Sequence, residues 1–215
     1  MAKGRLRLED VPSWEEVLRL WDFVLDRFIG AGEEAEKVRR ELLREGFRPI
    51  YGLREVCFFG LLFFTGCRVS ELLAIRKKDV NLLKKVILIR QLKKRKGEEL
   101  VREVLLPPPV EEYVREYVLR EVKGEELPLF EFTRQRAWQL VRELTEKVLD
   151  RPLHPHVFRH AFAIRLLKTI SNLEYVRRLL GHKDYDTLKH YLDFTIEDMK
   201  EELLSKTFGE TAKQK

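Results

Sequence analysis

Apolar residues recur at three- and four-residue intervals through most of the chain, the spacing of helices that each bury one face. The first helix opens at Pro12-Ser13-Trp14-Glu15-Glu16, where Ser13 and Glu16 have capping-box spacing. It is predicted over residues 14–28 and broken by Gly30-Ala31-Gly32. A charged helix is predicted over residues 33–45, and a far more apolar one, buried on most sides, over residues 53–64. Thr65-Gly66-Cys67 reads as the turn that ends it, and residues 70–75 read as another helical segment. Arg68 therefore stands at the junction of two helices, where a side chain and backbone N–H groups can be turned toward an anion.

The period shortens at Val86-Ile87-Leu88-Ile89 and again over residues 100–106, two β-branched and apolar runs separated by a polar, glycine-containing loop. They predict an antiparallel hairpin. Pro107-Pro108-Pro109 stops the second strand, because proline has no N–H to give a ladder, and Pro109 suits the first turn of a helix reaching about residue 122. Further helices are predicted over residues 133–149, 157–168, 173–180 and 196–205. No internal repeat or low-complexity linker interrupts this order. The fold class expected is mainly α with a small antiparallel β-sheet (α+β).

With 215 residues, 44% of them hydrophobic, the chain can bury a full core, and one domain is expected. Its two cysteines, Cys57 and Cys67, lie in apolar or helical sequence without a CxxC pair, so neither a zinc site nor a disulfide framework is indicated and a reduced, cytoplasmic setting is expected. The longest apolar runs fall far short of the roughly 20 residues that span a bilayer, so no membrane role is expected. The net charge of +6 permits nucleic-acid binding without demanding it. Its distribution says more: residues 76–102 hold eleven basic side chains (Arg76, Lys77, Lys78, Lys84, Lys85, Arg90, Lys93, Lys94, Arg95, Lys96, Arg102) against three acidic ones. This is read as a local, phosphate-facing surface.

All five histidines, His154, His156, His160, His182 and His190, crowd into one C-terminal stretch with Arg159 and Tyr191. Histidine exchanges protons near neutrality and arginine grips phosphate, so the crowding points to a phosphate-handling site. In order the stretch gives His156-Val157-Phe158-Arg159-His160, then Leu180-Gly181-His182, then Tyr191 nine positions on; upstream stands Thr65-Gly66-Cys67-Arg68-Val69-Ser70-Glu71-Leu72. Together these segments resemble the catalytic signature of the tyrosine recombinases, the phage-integrase family. The resemblance implies that family's catalytic-domain fold and a site-specific recombinase or integrase that cleaves and rejoins DNA through a 3′-phosphotyrosyl intermediate.

Cleavage of a phosphodiester by an enzyme nucleophile needs an activated oxygen, donors for the charge growing on the phosphoryl oxygens, and an acid for the leaving alkoxide. By the resemblance Tyr191 is the nucleophile; a phenol of pKa about 10 is roughly a thousandfold short of ionised at pH 7 and needs a neighbouring base or cation. His156 is the base expected, although a histidine after Pro155 also suits a helix cap. Arg68 and Arg159 would fork the two non-bridging oxygens. Arg159 lies among Val157, Phe158, Ala161, Phe162 and Ala163, where an unpaired guanidinium would be costly, so an anion is expected beside it. Arg68 equally suits an ion pair with Glu71, whose position supports the site in the family. His182 would donate to or orient the phosphate, after a Gly181 that ends its helix in the left-handed conformation. His160 is expected to pack or hydrogen-bond structurally beside Arg159, and His154 and His190 receive no chemistry.

In the family a lysine on the hairpin protonates the leaving 5′ oxygen. Lys93, 25 positions after Arg68, is taken for it, with Lys96 second; Lys94, Arg95 and Lys96 would contact the DNA backbone. No acidic set with metal-ligand spacing accompanies these residues, and the reaction implied needs no cofactor, metal or ATP. The domain reading is a single catalytic domain over residues 1–215: N-terminal helices over 1–50, a catalytic core over 51–194, and a tail over 195–215 with an apolar stripe at Ile196, Met199, Leu203 and Leu204 suited to docking on a neighbouring protomer. The family's separate DNA-clamping domain is expected to be absent. The partners expected are double-stranded DNA and further copies of the chain, as dimer or tetramer. Two other readings stay open: a type IB topoisomerase, which uses a similar residue set to nick and swivel DNA, and a non-catalytic DNA-binding module of the same fold.

Overall fold

The structure is a computed structural model that describes residues 10–30, 33–46, 50–90, 101–170, 172–181, 185 and 191. The first helix, α1 (Trp14–Asp26), starts where the capping box places it: Ser13 N–H donates to Glu16 Oε2 at 2.8 Å and Glu16 N–H to Ser13 Oγ at 3.1 Å. Val17, Leu20, Trp21 and Val24 form its buried stripe. It ends before Phe28 because the following backbone turns to another partner. Tyr51 N–H donates to Arg27 O at 2.9 Å and Ile29 N–H to Tyr51 O at 3.1 Å. The charged α2 (Glu33–Arg44) follows.

The core is organised around α3 (Leu53–Thr65), in which every residue but Arg54 is buried. It packs against α1 on one side and against α5 (Glu111–Arg120) and α7 (His156–Thr169) on others. Aromatic rings do much of the filling, with Phe63 and Phe158 only 4.6 Å apart between centroids. Gly60 permits the close approach of the 3-10 turn Pro108–Val110: a Cβ there would lie 2.5 Å from Val110 Cγ2. That turn precedes α5, so the helix expected from Pro109 starts slightly later.

Beyond α3 the predicted segment at 70–75 is shorter, α4 (Val69–Leu72), with Arg68 at its N-cap. The hairpin forms as β2 (Val86–Arg90) and β3 (Val101–Leu105), and a two-residue strand the sequence did not suggest, β1 (Val80–Asn81), adds to β2. The antiparallel register sets Ile87 opposite Val104 and Ile89 opposite Arg102. Ile87, Ile89 and Val104 face the core, and strand alternation turns Arg102 to that same inner face.

Two helices complete the site region. Thr133 caps α6 (Arg134–Leu149) through Arg136 N–H, and Asn172 caps α8 (Leu173–Leu180) through the N–H groups of Glu174 and Tyr175. Gly181 ends α8 at φ +66°, ψ 37°, the left-handed conformation expected of it. The helix α8 packs on α7 and β3. The helix predicted over 196–205 lies outside the described residues. Among those described, no helix is long and apolar enough to cross a membrane.

Candidate active site

The side chain of Arg159 lies 1% exposed in the first turns of α7, the largest fully buried residue of the described chain. Its charge is answered by the backbone. Nη1 donates to Gly66 O and Nη2 to Leu180 O, each at 2.6 Å. Gly66 is the C-cap of α3 and Leu180 the last residue of α8, so the cation sits where two helices present the negative ends of their dipoles. Burial, then repulsion from Arg68, lowers its pKa to about 10, which still leaves it charged at neutrality. In this apolar setting the two backbone carbonyls supply part of the compensation that the guanidinium needs. Two of its five N–H donors are used this way among the described residues.

Arg68 reaches the same region from the turn after α3. Its Nη1 donates to Glu71 Oε1 at 2.7 Å, and its backbone N–H to Oε2 at 3.1 Å. The N–H that the junction was expected to offer an anion is therefore taken by Glu71. The buried carboxylate is held from the other side by Arg102, whose Nη2 lies 2.8 Å from Oε2. Burial would raise the Glu71 carboxyl, but the hydrogen bonds and charge of Arg102, together with Arg68, more than reverse this and hold it below its ordinary value. Arg68 remains 41% exposed in its side chain, so it can turn to solvent while Glu71 keeps its position.

The two described histidines of the signature occupy successive turns of α7, their rings edge to face at 4.6 Å. His156 is the first helical residue, one past the cap position, so it does not act as a capping residue. Burial, then repulsion by Arg159 and Arg68, pushes its pKa down to about 4. Solvent reaches one side of this ring, so the two guanidiniums are the firmer cause; both effects keep the imidazole neutral at pH 7. Tyr191 is buried against Ala163, Val176 and Leu180. Its phenol oxygen lies 2.6 Å from Nδ1 of His160, and no hydrogen bond joins it to His156 among the described residues. Desolvation raises the Tyr191 pKa, opposed by the positive charges of Arg159 and Arg68.

The structure thus brings Arg68, Glu71, His156, Arg159 and Tyr191 into one region. Lys93, Lys94, Arg95, Lys96 and His182 lie outside the described residues. Two side chains have roles that the sequence does not disclose. His160, expected in a structural place beside Arg159, meets the phenol of Tyr191 instead. Arg102, expected in a phosphate-facing surface, is turned inward onto Glu71 and also donates through Nε to Leu179 O at 3.1 Å. The alternation of Arg102 with Val104 is the signal the sequence offers for it. Elsewhere in the basic stretch, Arg90 pairs with buried Asp79, Arg76 and Lys78 with Glu126, Lys77 with Glu125, and Lys85 with Glu111. Among its described members the charge is largely answered from within the chain.

Comparison with known proteins speaks to the family and the fold. The model of the phage integrase family matches residues 49–197. Tyrosine recombinase XerA of Thermococcus onnurineus is 29% identical over 197 residues, covering 81% of this chain and 68% of that protein. XerA of Saccharolobus solfataricus is 33% identical over 154 residues, covering 71% of this chain and 50% of its own. Tyrosine recombinase XerD of Corynebacterium glutamicum is 31% identical over 160 residues, 69% of this chain and 51% of that protein, so the chain spans between half and about two thirds of these relatives. Among solved structures, the crystal structure of XerA recombinase superposes with a TM-score of 0.67 at 22% identity, covering 89% of this chain and 64% of that one. The post-cleavage complex of XerH site-specific recombinase on a palindromic difH substrate gives 0.67 at 21%, covering 92% and 53%. The mainly helical fold with its small antiparallel sheet is therefore the fold of these recombinases, and with the family model covering most of its length, the chain belongs to the phage integrase family.

Proposed function

We propose that this chain carries the catalytic unit of a site-specific DNA recombinase or integrase, cleaving and rejoining strands through a 3′-phosphotyrosyl intermediate. The observation that carries this reading is the convergence of a buried Tyr191 with Arg159 and Arg68, side chains from three separate parts of the chain close enough to act on one another. The double-stranded DNA partner is taken from relatives solved on DNA. Arg68 and Arg159 hold the non-bridging oxygens of the scissile phosphate, neutral His156 borders it, and Glu71 fixes Arg68. Attack by Tyr191 Oη on phosphorus expels the 5′ oxygen, to which Lys93 supplies a proton. His182 orients the phosphate, and Lys94, Arg95 and Lys96 grip the DNA backbone. The phosphotyrosyl bond keeps the energy of the broken diester, so a free 5′ hydroxyl reseals the strand and releases Tyr191. Residues 1–215 act as one catalytic domain, and copies of the chain associate on DNA as dimer or tetramer.

The test is incubation with nicked or mismatched suicide duplexes, without metal, followed by a denaturing gel. A covalent protein–DNA adduct formed by the wild type and lost in Tyr191→Phe is the expected result. No adduct across a broad library of duplexes would overturn the catalytic reading in favour of a DNA-binding module.

A further inference from the structure

The base expected for Tyr191 is not the residue that touches it. His156 lies at the open start of α7, repelled by the guanidiniums of Arg159 and Arg68, and makes no hydrogen bond to the phenol among the described residues. His160, one turn further into the fold, lies 2.6 Å through Nδ1 from the Tyr191 oxygen, a short distance for a phenol on an imidazole nitrogen. The surroundings favour a directed proton. Tyr191 is 3% exposed, packed against Ala163, Val176 and Leu180, so water has little access to the phenol in this arrangement. Among the described residues, the charged and titratable groups around this site are Arg159 and His156 of α7, His154 just before it, Arg68 from the turn before α4, Glu71 of α4 and Arg102 of β3.

Building on the recombinase reading, we propose that His160 is a catalytic residue, the acceptor of the Tyr191 proton in strand cleavage and its donor in rejoining. The neutral imidazole carries its hydrogen on Nε2 and accepts the phenol O–H at Nδ1. As Oη forms its bond to phosphorus, the proton passes to Nδ1 and His160 becomes an imidazolium, while the P–O5′ bond breaks and the leaving oxygen takes a proton from the general acid. In rejoining, the 5′ hydroxyl attacks, the P–Oη bond breaks and Nδ1 returns its proton to the departing phenolate. His156 is left as a neutral hydrogen-bonding group at the phosphate. The division suits the two environments: the rim position borders the substrate, and the interior one borders the nucleophile.

The test has two arms. In the free protein with 15N-labelled histidine, NMR at pH 7 is expected to show His160 Nδ1 as an unprotonated acceptor and Nε2 protonated, with Nδ1 shifting in Tyr191→Phe. A protonated Nδ1 would overturn the proposal without any activity being measured. In the second arm, His160→Asn keeps a polar atom near the Nδ1 position but cannot take a proton at neutrality. Adduct formation on suicide duplexes is expected to fall about 100-fold or more at pH 7 and to recover as pH rises toward phenol ionisation. A duplex with a 5′-bridging sulfur, whose leaving group needs no acid, should not rescue this variant. Rescue by sulfur, or an Asn variant with the wild-type rate and pH profile, would overturn the proposal, provided thermal melting and duplex binding show it folded; a variant that does not fold leaves the decision to the NMR arm. Failure of the wild type itself to form any adduct is a separate result, the loss of transesterification, and the proposal falls with it.

Discussion

Arg102 and Glu71, 31 positions apart, face each other inside the fold with Nη2 and Oε2 2.8 Å apart, the arginine on the inner side of a strand and the carboxylate on a four-residue helix. The pair turns a residue of the basic stretch into an internal support for Arg68. Arg102→Met keeps the apolar stem and removes the cation, so stability is expected to fall by about 1.5–3 kcal/mol, the range for hydrogen bonds to charged groups, read by urea unfolding. The salt dependence of duplex binding discriminates further. Were Arg102 gripping a phosphate, its removal would reduce the slope by about one, whereas an inward arginine leaves the slope unchanged, which is the result expected.

Arg159→Lys retains the charge and loses the fork. A single ammonium cannot donate to Gly66 O and Leu180 O in the present geometry and also present two further donors to phosphate. Adduct formation is expected to fall about 100-fold or more, the scale of removing one donor to a developing oxyanion. An adduct rate close to wild type would show that a point charge suffices.

Gly66→Ala tests the turn that feeds the same arginine. At φ +65° an L residue is strained, and the new Cβ would stand 2.6 Å from Phe162 Cδ1 and 2.9 Å from Leu180 Cδ2. A loss of at least about 1 kcal/mol is expected in thermal or urea unfolding. Because the carbonyl of Gly66 is also an Arg159 acceptor, adduct formation should drop with it.

For His156 the folded-state pKa of about 4 lies below the ordinary value of 6.5. Between these values the unfolded chain holds a proton that the folded one refuses, so this residue lowers stability as pH falls through that window and has no such effect above it. An NMR titration of the free protein checks the value directly. Adding duplex DNA should move the titration upward, because a phosphate anion opposes the repulsion from Arg68 and Arg159.

Local signals in the sequence are enough for α1, whose capping box is a four-residue event, and for the hairpin, whose pairing is near in sequence. They also place Arg68 at a helix start and Gly181 at a helix end. What the sequence hides is long-range pairing. Lys78 meets Glu126 across 48 positions and Lys85 meets Glu111 at the start of α5, so much of the charge described in this stretch is compensated once folded. The same holds for His160, whose partner Tyr191 lies 31 positions away. The partners of Arg159 are illegible for another reason: helix-end carbonyls carry no residue code, and only the packing of α3 and α8 around α7 brings them to it.

Leu179 O is taken by Arg102 from β3, and the next carbonyl, Leu180 O, by Arg159 from α7. Adjacent carbonyls claimed by cations of different origin act as an index mark on α8. Slipping this helix by one residue would hand each arginine the wrong oxygen and rotate Val176 and Leu180 by about 100° out of the pocket of Tyr191. The helix should therefore tolerate changes on its outer face, such as at the exposed Tyr175, far better than a single residue inserted or deleted between Leu173 and Leu180.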